Sequence, residues 1–122
     1  MRIAIPVDKK DNVTKVSTSF GRASYFIIYD IESKESSFIE NKAKESKGGA
    51  GIVAAQTIVD NKVDVLLTPQ CGENAAEVIK AADIKIYKTE GTDLEKNLDN
   101  FTHDKLSLLD EIHSGYHGHK GD

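Results

Sequence analysis

Val63-Asp64-Val65-Leu66-Leu67-Thr68-Pro69-Gln70-Cys71-Gly72-Glu73-Asn74-Ala75 is the stretch on which the fold turns. Val63 to Thr68 is nearly all apolar and β-prone, as a central strand of a parallel sheet should be. Pro69 to Gly72 makes a tight turn. A helix follows, with Ala75, Val78, Ile79 and Ala82 predicted on its inner face and Asn74 predicted as its cap, supported by Glu77. In open parallel sheets, ligands sit beyond the carboxyl ends of strands, where helices begin. This turn holds the chain's only cysteine, Cys71, and is the first place to look for chemistry.

Upstream, Arg2 to Val7 reads as a buried strand, with Pro6 near its end or at a bulge because proline lacks a ladder donor. Asp11-Asn12 marks a turn. Ser17-Thr18-Ser19-Phe20-Gly21-Arg22 is a hydroxyl-rich loop. Tyr25 to Asp30 is a second strand and Ser36 to Glu40 a third, at an edge, joined by a hairpin through Glu32 to Glu35. Lys47-Gly48-Gly49-Ala50-Gly51 leads into a helix over about Ile52 to Asn61, with Ile52, Ala55, Ile58 and Val59 inward. Downstream, Ile84 to Tyr87 is a fifth strand. Thr92-Asp93-Leu94-Glu95 is a capping box that opens a third helix, with Leu94, Leu98 and Phe101 inward.

The order is therefore βββαβαβα: an α/β single domain with a mixed five-stranded sheet and three helices. If strands one and four are neighbours, Ser17–Arg22 and Pro69–Asn74 meet on one rim, with the glycine-rich start of the first helix near them. The domain is expected to span 1–109. Residues 110–122, with Gly115, Gly118, Gly121, His113, His117 and His119, read as a flexible tail.

Composition narrows the function. The 122 residues carry 16 Lys and Arg against 20 Asp and Glu, a formal charge of -4, which gives no general attraction to nucleic acid or anionic membranes. One cysteine excludes an intrachain disulfide, so a reducing compartment fits. The N-terminal apolar run is too short for a signal peptide, and nothing approaches a membrane span. The expected location is the cytoplasm.

Several residues carry candidate chemistry. Cys71 precedes a helix N-terminus, whose partial positive charge favours thiolate, a ligand for soft metals and iron-sulfur clusters; it reads equally as a small semi-buried turn cysteine. Arg22 and the hydroxyls of Ser17 and Ser19 can bind a polar or anionic ligand, and Gly21 allows close backbone approach. An ordinary loop whose Phe20 closes the core fits the same pattern. The Lys47–Gly51 run lacks the spacing of a nucleotide-binding loop. The tail histidines His113, His117 and His119 can ligate a metal, but an inert tail fits better. Asp8 and Asp64 fall about four residues apart along neighbouring strands, roughly 13 Å. That is too far for two-metal chemistry.

The chain resembles the dinitrogenase iron-molybdenum cofactor biosynthesis family. The resemblance rests on Ile3-Ala4-Ile5-Pro6-Val7-Asp8, Ser17-Thr18-Ser19-Phe20-Gly21-Arg22-Ala23 leading into Phe26-Ile27-Ile28-Tyr29-Asp30, Gly49-Ala50-Gly51-Ile52, Val63-Asp64-Val65-Leu66-Leu67 and Cys71-Gly72-Glu73-Asn74-Ala75. It spans about Met1 to Leu106. It implies a ribonuclease-H-like fold and a non-catalytic carrier that binds an iron-sulfur or iron-molybdenum type cluster and passes it between donor and acceptor proteins. It also implies that the cofactor-binding residues are Ser17, Ser19, Phe20, Gly21, Arg22, Cys71, Gly72 and Asn74, with Cys71 as metal ligand. Members often have His where this chain has Ser19, which makes Cys71 the stronger candidate ligand, since a hydroxyl suits soft metals poorly. Two other functions compete. One is a regulatory or interaction module that binds a small anion or a partner protein at the same rim without metal. The other is a nuclease-like enzyme, disfavoured by the acidic charge and the carboxylate spacing.

Overall fold

A computed structural model describes residues 1–10, 15–45 and 49–109. The turn expected at Asp11-Asn12, Lys47 and Gly48, and the tail from 110 with its histidines lie outside the described residues. Five strands, β1 (Arg2–Val7), β2 (Tyr25–Asp30), β3 (Ser36–Glu40), β4 (Val65–Thr68) and β5 (Lys85–Lys88), form one sheet in the order β3-β2-β1-β4-β5. Three helices, α1 (Ala50–Asp60), α2 (Glu73–Ala81) and α3 (Leu94–Thr102), complete the predicted βββαβαβα sequence, and a short 3₁₀ turn occupies Lys42–Glu45. No helix among the described residues is long and apolar enough to cross a membrane.

β1 is the hinge of the topology. It pairs antiparallel with β2, Ile3 opposite Tyr29 and Val7 opposite Tyr25, and parallel with β4, Ile3 opposite Val65 and Ala4 opposite Leu66. Being internal, its residues Ile3 to Val7 are all buried, as are all four of β4. Side chains alternate between two cores. Ala4, Phe26, Ile28, Leu66 and Ile86 pack under α1 and α2, while Ile3, Ile5, Val65 and Leu67 pack under α3 with Leu94, Leu98 and Phe101. Each fully buried Ile or Leu contributes about 1.5–3 kcal/mol. A slip of β1 by one residue would exchange its two faces.

The β2–β3 hairpin turns where Asp30 Oδ1 accepts from the Glu32 amide at 2.9 Å and Lys34 adopts a φ of 62°. β5 has a partner that the sequence pattern did not reveal. Ser107 to Leu109 returns along its outer edge, with the Lys88 amide donating to the Ser107 carbonyl and the Leu109 amide to the Ile86 carbonyl, both at 2.9 Å. This pairing covers an edge that would otherwise be open.

Four expectations need correction. α1 begins at Ala50, and its buried residues are Ala54, Ala55 and Ile58, with Ile52 45% exposed. Small side chains line this face because α1 packs directly on α2. On α2 the buried set is Ala75, Ala76 and Ile79, and Ala82 is exposed. The N-cap of α2 is Gly72, so Asn74 lies inside the first turn and caps nothing. The cap of α3 is Asp93, one residue later than Thr92, and its carboxylate accepts from the Lys96 amide at 3.1 Å.

Candidate functional site

The parallel pairing of β1 with β4 puts their carboxyl ends on the same rim, and the two predicted loops meet there. Gln70 Nε2 donates to the Thr18 carbonyl at 3.2 Å, strapping one loop to the other. Thr68 Oγ1 donates to the Gln70 carbonyl at 2.9 Å, which holds the turn after β4. Sequence reasoning missed both residues, since neither belongs to a motif.

The starts of α1 and α2 complete the rim. A Cβ added to Gly21 would lie 3.3 Å from the Gly51 amide nitrogen, and one added to Gly51 would lie 3.5 Å from the Ala75 Cβ. The loop, the first turn of α1 and the first turn of α2 therefore touch. Both helices have glycine N-caps, Gly49 and Gly72, so neither has a side chain capping its first amides. Gly49 takes a φ of 66°, which glycine adopts without strain. Two uncapped helix starts side by side favour negative charge, part of which Glu73 in the first turn of α2 already supplies.

Within the 17–22 loop the serines serve the turn first. Ser17 is buried; its hydroxyl donates to the Ser19 carbonyl and accepts from the Ser19 amide, both at 3.2 Å. Ser19 Oγ accepts from the Arg22 amide at 3.1 Å. Phe20 is 2% exposed and packs against Phe26 with ring centroids 5.5 Å apart, so it closes the core and does not line the rim. Arg22 and Asn74 are exposed, and Gly21, Gly72 and Ser19 are half-buried. Of the eight predicted binding residues, Ser19, Gly21, Arg22, Gly72 and Asn74 remain accessible around the junction.

Cys71 departs from its expected state. It has 0% exposure and belongs to the core beneath α1 and α2, alongside Phe20, Ala75 and Ile79. Burial pushes its thiol up from 9.0 to about 11, against a smaller opposing pull from Lys80. Desolvation outweighs the pull of Lys80, and the side chain is a protonated core group, which favours the turn-cysteine reading over the thiolate. Among the described residues no three His, Cys, Asp or Glu side chains gather in a group that could hold a metal ion. The carboxylate pair is further apart than predicted. Asp64 stands opposite Arg2, whose amide it accepts at 2.9 Å, so Asp8 lies six residues along, roughly 20 Å away.

The residue that most shapes the loop went unnoticed in the sequence. Asn41, immediately after β3, is fully buried. Its Nδ2 donates to the carbonyls of Ala23 at 2.8 Å and Gly21 at 3.2 Å, and its Oδ1 accepts from the Ala43 amide at 3.0 Å. Asn97 plays the same part on the other face, binding the Glu90 amide and the carbonyls of Glu90 and Asp93. A separate concavity of about 350 Å³, lined by Tyr29, Glu95, Leu98, Asp99 and Thr102, lies between β2 and α3 and shares no residue with the rim.

Comparison with known proteins agrees with this architecture. The profile of the dinitrogenase iron-molybdenum cofactor family matches residues 1–104. The chain belongs to that family. An uncharacterised protein of Methanocaldococcus jannaschii is 31% identical over 113 residues, covering 90% of this chain and 92% of the relative. The apo form of the orange protein from Desulfovibrio gigas is 28% identical with a TM-score of 0.84, covering 89% of this chain and 92% of that one. A NifB-like protein from Thermotoga is 38% identical with a TM-score of 0.78, covering 91% and 95%. The family likeness thus spans the whole sheet and the rim together.

Proposed function

We propose that this family member is a non-catalytic carrier that holds an anionic metal–sulfur cluster, of iron-sulfur or iron-molybdenum type, as cargo at the rim and exchanges it with the proteins that build or receive it. The observation that carries this reading is the junction of two uncapped helix starts with the loop presenting Arg22. Each helix N-terminus contributes about half a positive charge, and arginine adds a full one with planar donors. A cluster whose terminal sulfurs carry negative charge finds hydrogen-bond donors and a cation there. It does not find thiolates, because Cys71 is sealed beneath α1 and α2. A sulfur–metal bond from Cys71 would require the turn at Gln70–Gly72 to open. Holding cargo without protein–metal bonds suits a carrier, since release then breaks only hydrogen bonds and ion pairs.

The same donors serve a module that binds a small anion without metal, and the lack of a three-residue ligand group among the described residues favours keeping that reading. One experiment separates the two. Purified protein is incubated anaerobically with tetrathiomolybdate, a dianionic metal–sulfur species with strong visible absorption, and then gel-filtered. The carrier reading expects co-eluting colour that survives Cys71→Ala and is lost in Arg22→Ala. Colour that depends on Cys71 would reverse the assignment of the donors. No colour, together with phosphate binding that depends on Arg22, would select the metal-free module.

A further inference from the structure

One edge of the sheet is covered and the other is open. Ser107 to Leu109 pairs with the outer edge of β5, whereas β3, among the described residues, has a strand neighbour on one side only. The hydrogen-bond phase of β3 follows from its two ends. The Asn41 amide donates to the Ser24 carbonyl at 3.0 Å, and the Asp30 amide donates to the Glu35 carbonyl at 2.9 Å. Bonded pairs alternate along an antiparallel ladder, so Glu35, Ser37, Ile39 and Asn41 turn their backbone groups toward β2. Ser36, Phe38 and Glu40 turn theirs outward. The devices that blunt an edge are missing from this strand: its register with β2 runs without a bulge, and Ser36–Glu40 contains neither proline nor lysine.

We propose that β3 pairs antiparallel with β3 of a second copy of this chain, about a twofold axis at Phe38, and so joins two sheets edge to edge. The strand is complementary to itself in this register. Phe38 stands opposite Phe38 of the second copy with both backbones turned inward to the axis, the arrangement that exchanges two bonds. Ser36 stands opposite Glu40. The charge pattern agrees, because Glu40 is the one ionisable residue of the strand and falls opposite a hydroxyl. The second Glu40 lies four residues along, roughly 13 Å away and beyond a screening length of about 8 Å. A parallel, in-register pairing would set the two carboxylates side by side. Phe38 is half-buried, edge-on to Tyr25 with ring centroids 6.4 Å apart, and its counterpart on the axis extends this aromatic pair across the junction. The covered β5 edge closes the assembly at two copies, since a sheet with one open edge cannot propagate a chain of them.

Sedimentation of the full chain between about 10 µM and 1 mM reads the association, which is weak because so short an edge buries less than a standard interface. The mass should rise from one chain toward two. Amide exchange over the same range reads the register: the Ser36 and Phe38 amides should slow severalfold at the high end, while those of Ser37 and Ile39 are slow throughout. Ser36→Pro removes an outward N–H and no bond to β2; it should weaken association about tenfold and leave the melting temperature of the dilute protein nearly unchanged. Phe38→Lys sets two ammonium groups face to face on the axis and should leave a monomer. A single chain at every concentration overturns the proposal. So does a dimer whose Ser36 and Phe38 amides exchange as fast as in the monomer, or one that keeps wild-type affinity in both variants.

Discussion

Raising the pH on Cys71 tests the state of the rim's only thiol. The folded thiol titrates near 11, pushed up by burial, against 9.0 when exposed. Below pH 9 both folded and unfolded chains hold the proton, and the stability from burying a neutral thiol is fully present. Between pH 9 and 11 the unfolded thiol ionises while the native one does not. The unfolded state then binds fewer protons, so stability falls as pH rises, levelling off above 11. A shift of about two units corresponds to about 3 kcal/mol at most. Lysines and tyrosines ionise in the same range, so the quantity to measure is the difference between wild type and Cys71→Ala in urea unfolding. Near pH 7 the alanine variant should be less stable by about 1 kcal/mol, because it leaves a small void. By pH 11 the order should reverse, with the wild-type midpoint lower by about 1 M urea for a slope of about 1.5 kcal/mol/M. A constant gap across this range would mean that the native thiol titrates as the unfolded one does, and the account of a sealed Cys71 would be refuted.

Four further substitutions probe the frame around the site. Asn97→Ala leaves the Glu90 amide and the Glu90 and Asp93 carbonyls without their partner, and should cost about 2–4 kcal/mol by chemical denaturation without altering anion binding. Gly21→Ala places a methyl 3.3 Å from the Gly51 nitrogen, so the start of α1 must shift; tetrathiomolybdate affinity should fall severalfold more than stability alone explains, read by titration beside a melt. Asp93→Ala removes the α3 cap and should cost about 1 kcal/mol, whereas Thr92→Ala should be nearly neutral, which a pair of urea titrations decides.

The sheet was legible in the sequence because its strands are short apolar runs separated by clear punctuation. With β1 and β4 as central neighbours, the meeting of Ser17–Arg22 with Pro69–Asn74 follows from connectivity alone. The inner face of α1 is less legible. Hydrophobicity favours Ile52, but close packing on α2 selects Ala54 and Ala55, and small residues give a weak periodic pattern. Thr92-Asp93-Leu94-Glu95 offers two caps, and it is the Asp93 carboxylate that accepts from the Lys96 amide. Cys71 shows the limit most clearly. Its place before a helix is legible, but the sign of its shift depends on what covers it, and besides Ala75 and Ile79 of the adjacent α2 the cover includes Phe20 from a distant loop. Asn41 and Asn97 were invisible for the same reason. A polar residue declares itself a buried clamp only when the carbonyls it binds are known.

The central claim is that the rim holds an anionic metal–sulfur cargo through helix starts and Arg22, with the thiol kept inside. The most direct measurement is the metal and acid-labile sulfide content of protein purified without an affinity tag under strictly anaerobic conditions, compared among wild type, Arg22→Ala and Cys71→Ala. Wild type and Cys71→Ala should retain metal and sulfide in the same ratio, and Arg22→Ala should lose most of both. Metal that disappears with Cys71→Ala and stays with Arg22→Ala, or metal and sulfide absent from all three, would contradict it.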